Sequence, residues 1–239
     1  MECIKICILS SWKIKVLMKK EVIKTADGVS TLFIPEWNET YHSKHGVLAE
    51  ARHVFIENGL NKIEKEEITI LEIGFGTGFN ALLTFFEAQK STKKIHYFGM
   101  EKFPISWDLI EKLNYEKVFE SPEIALKTLK KLHSRENYSI QITENFQFTF
   151  LENDFFKLQK IELPLIDLVY FDAFGARVQP ELWEKDLFQI IHNKMSLNSL
   201  FTTYSSKGSA RRALEEVGFK VSKLAGPKGK REMINAIKT

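Results

Sequence analysis

The chain has 239 residues, with 34 Lys+Arg against 31 Asp+Glu for a formal net charge of +3, and 44% of its residues are hydrophobic. That apolar content excludes a disordered or low-complexity protein. The two cysteines, Cys3 and Cys7, exclude a disulfide scaffold and suit a reducing compartment, so a cytoplasmic location is expected. A charge so near zero leaves any nucleic-acid role to local clustering of cations.

Residues 1–20 are greasy, but Lys5, Lys13 and Lys15 interrupt them before any run long enough for a membrane span, and Ile6–Leu9 is too short for a secretory core. Met18 is the expected natural start, with residues 1–17 as an extension; an edge strand is the other reading. Val22-Ile23 and Thr31–Ile34 flank Asp27-Gly28, which predicts a β-hairpin stopped by Pro35. Residues 46–59 predict an amphipathic helix with Val47, Ala51, Val54 and Phe55 on one face. This hairpin plus helix forms an appended unit, residues 18–62.

From residue 63 the rhythm is that of an α/β domain running to residue 239. Strands are predicted at Ile68–Ile73, His96–Met100, Leu165–Phe171 and Leu200–Tyr204, and a hairpin at Ser139–Ile142 and Gln147–Leu151. Two final strands follow, Phe219–Leu224 and Met233–Ile237. Helices are predicted at 78–90, Pro104–Asn114, Pro122–His133, Pro180–Met195 and Ser209–Val217, with Pro104 and Pro122 suited to a first turn. The sheet is expected to be mostly parallel, and Trp183 to belong to the core with Leu187.

The segment Glu72-Ile73-Gly74-Phe75-Gly76-Thr77-Gly78-Phe79-Asn80 joins the first parallel strand to its helix. Its glycines let the backbone approach a ligand, and the helix start offers free N–H groups. In the register Gly76–Ala81 it also satisfies the dinucleotide pattern, which keeps a nicotinamide-dependent oxidoreductase open as a rival. Glu72 argues against it, since a carboxylate there repels a pyrophosphate and attracts an ammonium or sulfonium. The next strand ends in Glu101-Lys102, placed for a ribose diol, and Asn153-Asp154 ends the one after.

This arrangement resembles the motif set of class I S-adenosylmethionine-dependent methyltransferases. The resemblance implies a Rossmann-like, mostly parallel seven-stranded sheet. The glycine loop would then hold the amino-acid end of the cofactor, Glu101 its ribose, and Asp154 its adenine. It narrows at Tyr170–Phe174, Gln179–Trp183, Thr203–Gly208 and Gly229–Met233, with Glu101–Pro104 and Tyr41-His42-Ser43. These are similar to the family that methylates 5-aminomethyluridine at the tRNA wobble position (the MnmD type). Its product is 5-methylaminomethyl-(2-thio)uridine. In some relatives the methyltransferase is fused to a flavin-dependent oxidase that prepares the amine. A chain ending at Thr239 leaves no room for it, so separate upstream enzymes are expected to supply aminomethyl-bearing tRNA. The sequence departs from the family at Ala176, where Pro is usual after Gly175, and at Asn153, where Gly often stands.

The family resemblance carries the candidate roles. Asp172 is the candidate catalytic residue and also a cofactor-site candidate, with Glu72, Gly74, Phe75, Gly76, Thr77, Gly78, Asn80, Glu101, Lys102, Asn153 and Asp154. An alkylammonium must lose its proton before it can attack a methyl group, at a cost of roughly 4 kcal/mol at neutral pH. Asp172 is expected to orient the amine and to take the proton directly or through water. Phe174 either stacks on the base or packs under its loop; Tyr41 and Ser43 close over the site from the appended unit. Arg177, Ser205, Lys207, Arg211, Arg212, Lys228, Lys230 and Arg231, with Lys223, are candidates for the tRNA, either tracking phosphates or forming a solvated face. The six histidines and two cysteines make no metal-binding spacing, so no metal is expected. A non-catalytic RNA-binding module with a degenerate pocket is the second alternative.

Overall fold

A computed structural model describes residues 18–134 and 138–239; the extension proposed at residues 1–17 lies outside them. The chain opens with β1 (Glu21–Lys24) and β2 (Ser30–Ile34), antiparallel about the Asp27-Gly28 turn as the dipeptide predicts. A short β3 (Glu39–Thr40), with no counterpart in the sequence reading, pairs with β2 to complete a three-stranded sheet. Helix α1 (Val47–Ala51) follows, and its Leu48 N–H donates to Asp27 Oδ2 at 3.1 Å, so the hairpin turn caps the helix. The helix then widens over Arg52–Glu57 to i→i+5 bonding, as in Asn58 N–H to His53 O. Thr202 Oγ1 donates to Val54 O at 3.2 Å within this wide turn.

The main sheet is built from β4 (Glu67–Ile73), β5 (Lys94–Glu101), β6 (Ser139–Thr143), β7 (Phe146–Glu152) and β8 (Ile166–Phe171). It is completed by β9 (Met195–Thr203), β10 (Phe219–Ala225) and β11 (Glu232–Lys238), in the order β10-β11-β9-β8-β4-β5-β7-β6. That is eight strands, one more than the family resemblance implies, because both arms of the predicted hairpin join the sheet at its edge. The five central strands are parallel, and β6, β11 and β10 are antiparallel to their neighbours.

Helix α2 (Phe79–Ala88) follows β4. Helices α3 (Trp107–Glu111), α4 (Pro122–His133), α5 (Lys185–Lys194) and α6 (Gly208–Glu216) complete the layers. Alternation along the strands splits the core in two: Ile68 and Ile70 pack on one face with Phe55, Phe79 and Leu82, while Leu71 and Ile73 pack on the other with Leu187 and Phe188. Trp183 belongs to that second core, as expected.

Two predicted helices are corrected. Pro104 does not open one: α3 starts at Trp107, because the backbone is still extended at Ser106 (φ −68°, ψ 147°), which is the helix N-cap. The segment from Pro180 makes a single 3₁₀ turn to Trp183, breaks at the extended Glu184, and resumes as α5; Met195 already belongs to β9. No helix among the described residues is long and apolar enough to cross a membrane.

Candidate active site

The chain leaves β4 outward through β5 and β7, then returns to β8 on the other side of β4. The ends of β4 and β8 therefore diverge into a crevice, the usual place for a ligand in an open α/β sheet. Here a cavity of about 470 Å³ opens, roofed by the N-terminal unit. Gly74, Gly76 and Gly78 all take positive φ, from 51° to 90°. Gly74 shows why: a Cβ there would stand 2.7 Å from the Asp172 carbonyl oxygen, so only glycine lets the two strand ends lie this close.

Of the candidate residues, Gly74, Phe75, Gly76, Thr77, Asn80, Glu101, Lys102, Asp154 and Asp172 line this cavity together with Tyr41, Ser43, Phe174 and Lys230. Glu101 accepts from Gly76 N–H at 3.1 Å and from Phe103 N–H at 2.8 Å. Burial raises its pKa against these amides. Asp154 pairs with Lys102 and accepts from Phe156 N–H at 3.0 Å. Burial opposes ionisation of Asp154, but the Lys102 and Phe156 contacts together hold its pKa below the usual value.

Glu72 sits elsewhere than expected. It is fully buried behind the cavity wall, where Oε1 accepts from Asn80 Nδ2 and Oε2 from Tyr97 OH, each at 2.8 Å. Burial drives its pKa well up, so it is no bare charge facing the ligand. The same Asn80 Nδ2 donates to Asp172 Oδ2 at 2.8 Å. Burial, and next the Glu50 carboxylate, push the Asp172 pKa up to about 7, while Asn80 and Lys230 pull against them.

Gly78 packs under the loop against Phe75, and Asn153 is turned outward, its side chain accepting from Asp154 N–H at 3.0 Å. Phe174 meets Trp37 and Tyr41 edge-to-face, with centroids 5.3 and 4.9 Å apart. Arg177 is already engaged, donating to Glu39 Oε1 at 2.7 Å and Trp37 O at 2.6 Å, and so ties the loop after β8 to the N-terminal sheet. Ser205 Oγ accepts from Lys207 N–H at 3.4 Å ahead of α6, away from the cavity wall.

The basic residues separate. Arg211 pairs with Glu215 and Lys223 with Glu232. Lys207, Arg212, Lys228 and Arg231 are exposed and make no ion pair among the described residues. Lys230 is drawn into the cavity wall, paired with Glu50 and 3.9 Å from the Tyr204 ring centroid.

Three contributors have no role in the sequence reading, although His42 and Tyr204 stand inside its motifs. His42, half-buried and with its pKa lowered to about 4 by desolvation, bridges Thr31 and Thr77 under the glycine loop. Glu50 lies in a helix whose sequence signal is its apolar face. Tyr204 lies in a motif whose polar signal comes from the serines and lysine that follow it.

Residues 120–239 match the family described as S-adenosyl-L-methionine-dependent methyltransferase, which is half of the chain. The chain belongs to that family. The chain is also 30% identical over 216 residues to the tRNA 5-methylaminomethyl-2-thiouridine biosynthesis bifunctional protein MnmC of Marinomonas sp., covering 83% of this chain and 31% of the relative. It thus spans about a third of the length of the curated relatives it matches. The crystal structure of MNMC2 from Aquifex aeolicus superimposes with a TM-score of 0.74 at 27% identity, over 92% of this chain and 70% of that one. A spermidine synthase structure, at 13% identity and a TM-score of 0.51, shares the fold alone.

The residues present fit the family's cofactor. Asn80 Oδ1 is buried without a partner among the described residues, and Glu101 and Asp154 place further acceptors on the same wall. S-adenosylmethionine offers an ammonium, a ribose diol and an adenine amine as donors. Membership of the family supports neither the nicotinamide alternative nor the non-catalytic module.

Proposed function

We propose that the methyltransferase transfers a methyl group to the primary amine of 5-aminomethyluridine, with or without 2-thiolation, at the wobble position of tRNA in the cytoplasm. The observation that carries the reading is Asp172: a carboxylate on the cavity wall beside the glycine loop, with a pKa of about 7. A general base works best with a pKa near the operating pH. The likeness to proteins named for 5-methylaminomethyl-2-thiouridine biosynthesis supports the same substrate.

In this proposal Glu101 accepts from the ribose hydroxyls and Asp154 orients the adenine, while the glycine loop leaves space for the amino-acid end. The bound cofactor supplies an electrophilic methyl on a sulfonium. Asp172 would take the proton from the substrate ammonium and so free the nitrogen lone pair for the methyl that the cofactor would supply, whose former bonding pair would stay on sulfur. The proton then passes from Asp172 to solvent. Most of the rate is expected from alignment, on the order of 7 kcal/mol or more. Residues 18–62 act as a unit that roofs the site on the α/β domain of residues 63–239, and upstream enzymes act separately to install the amine. Lys207, Arg212, Lys228 and Arg231 track the tRNA backbone.

The test is incubation of the chain with S-adenosylmethionine and tRNA carrying 5-aminomethyluridine, followed by nucleoside mass analysis. One added methyl on that nucleoside is the expected result. Its absence, with cofactor binding intact, overturns the reading.

A further inference from the structure

Lys230 belongs to the loop between β10 and β11, yet its ammonium lies on the cavity wall. It pairs with Glu50 Oε1 and stands 3.9 Å from the centroid of the Tyr204 ring. Glu50 is itself held: its other oxygen accepts from Ser43 N–H at 3.0 Å. The Tyr204 hydroxyl is committed to Ala173 O at 2.9 Å, so the cation is met by the ring face. Glu50 and Lys230 bear on Asp172 with opposite sign, which puts all three in one electrostatic neighbourhood.

A carboxylate, an aromatic face and a second carboxylate nearby make a seat for a primary alkylammonium. The group now in it is a methylene bearing –NH₃⁺, the same chemistry as an aminomethyl substituent. We propose that Glu50 and Tyr204 form the subsite that receives the substrate's aminomethyl group in its protonated form, and that Lys230 holds this seat until the substrate displaces it. The subsite rests on the functional reading above, and extends it by stating where the amine docks before Asp172 takes its proton. Lys230 suits the part of a placeholder because its charge rides on a flexible four-carbon stem that can swing aside without moving the loop. It also makes the site selective. A uridine without the amine cannot replace the lysine charge against Glu50, and so leaves the pair closed.

The test uses the whole chain and tRNA bearing 5-aminomethyluridine, comparing kcat and KM in the parent, Lys230→Met and Glu50→Gln. Binding of S-adenosylhomocysteine serves as the check that each variant is folded. Methionine keeps the apolar stem over Tyr204 and removes the competing charge. The expected result is a KM for tRNA that falls about threefold in Lys230→Met and rises about tenfold in Glu50→Gln, where a charge-assisted hydrogen bond to the substrate is removed. The opposite directions are the signature, because a mere structural tie between Glu50 and Lys230 would weaken both variants alike. A KM that rises or stays level in Lys230→Met, or stays level in Glu50→Gln, overturns the subsite. Should Glu50→Gln fail to bind S-adenosylhomocysteine, Glu50→Asp replaces it with the same expectation. Methylation by the parent with either of those outcomes removes the subsite alone, whereas no methylation by the parent removes the functional reading and the subsite with it.

Discussion

Asn80 Nδ2 lies 2.8 Å from Asp172 Oδ2 and 2.8 Å from Glu72 Oε1, so one amide group serves a half-buried carboxyl on the cavity wall and a buried one behind it. The first helical turn after the glycine loop is thereby wired to the end of β8. Asn80 acts on the proposed chemistry through Asp172, by orienting it and by easing its ionisation.

Asn80→Ala is therefore expected to raise the Asp172 pKa further, since the hydrogen bond that lowers it is removed. The acid limb of the pH profile for kcat/KM should move to higher pH, with kcat at neutral pH down about tenfold. A buried carboxyl left short of a donor should also cost about 1–3 kcal/mol of stability. A profile with an unmoved limb would show that Asn80 only packs.

In the parent, activity should fall tenfold per pH unit below about 7, as Asp172 becomes protonated. Asp172→Asn should abolish turnover while retaining cofactor binding. The stability effect has the opposite sign to that of an ordinary aspartate. The folded-state pKa lies above the unfolded value, so the stabilisation is present at low pH and is lost as pH rises through 7. Asp172→Asn should accordingly melt higher than the parent at pH 8, on the order of 3 °C, and no higher at pH 4. Thermal melts at the two pH values check this.

Gly78→Ala places a Cβ 2.8 Å from the Phe75 ring at a φ of 75°, where an L side chain is strained. The expected cost is about 1–2 kcal/mol. Since Gly78 precedes α2, the strain should also distort the loop and weaken cofactor binding about tenfold, measured by calorimetry. Unchanged cofactor affinity would mean that the loop absorbs the clash elsewhere.

Neutralising Lys207, Arg212, Lys228 and Arg231 together should weaken tRNA binding and flatten its dependence on salt, by about 0.7–0.9 in log–log slope for each phosphate no longer engaged. Neutralising Arg211 and Lys223, which already hold Glu215 and Glu232, should change the slope little. Filter binding across a salt series distinguishes the two sets, and cofactor affinity should not move in either.

The frame of the site is legible in the sequence because local signals carry it. Ile68–Ile73 is a short apolar run ended by glycines, and Asp172 and Glu101 follow similar runs, so strand ends and acids can be paired one by one. What sequence spacing does not carry is contact across distance. Glu50 and Lys230 are 180 positions apart, and nothing in either neighbourhood marks the other. The motif position of Glu72 suggests a charge at the ligand, since it says nothing of the Asn80 and Tyr97 groups that hold the carboxyl in the interior. Pro104 and Pro180 look alike as helix starts, yet after one an extended Ser106 delays the helix and after the other an extended Glu184 interrupts it.

The place of β11 between β9 and β10 means that the strand latest in this sequence is inserted into the sheet rather than added at its rim. On a ribosome, a chain in which residues 232–238 have yet to emerge holds β9 with one edge open and β10 with nothing to pair against. Such an edge invites association with other chains. The loop that carries Lys230 to Glu50 is anchored by the same strand, so the cavity wall is complete only once β11 is in place. Until then the pocket lacks one side, and an acceptor has no finished site to enter.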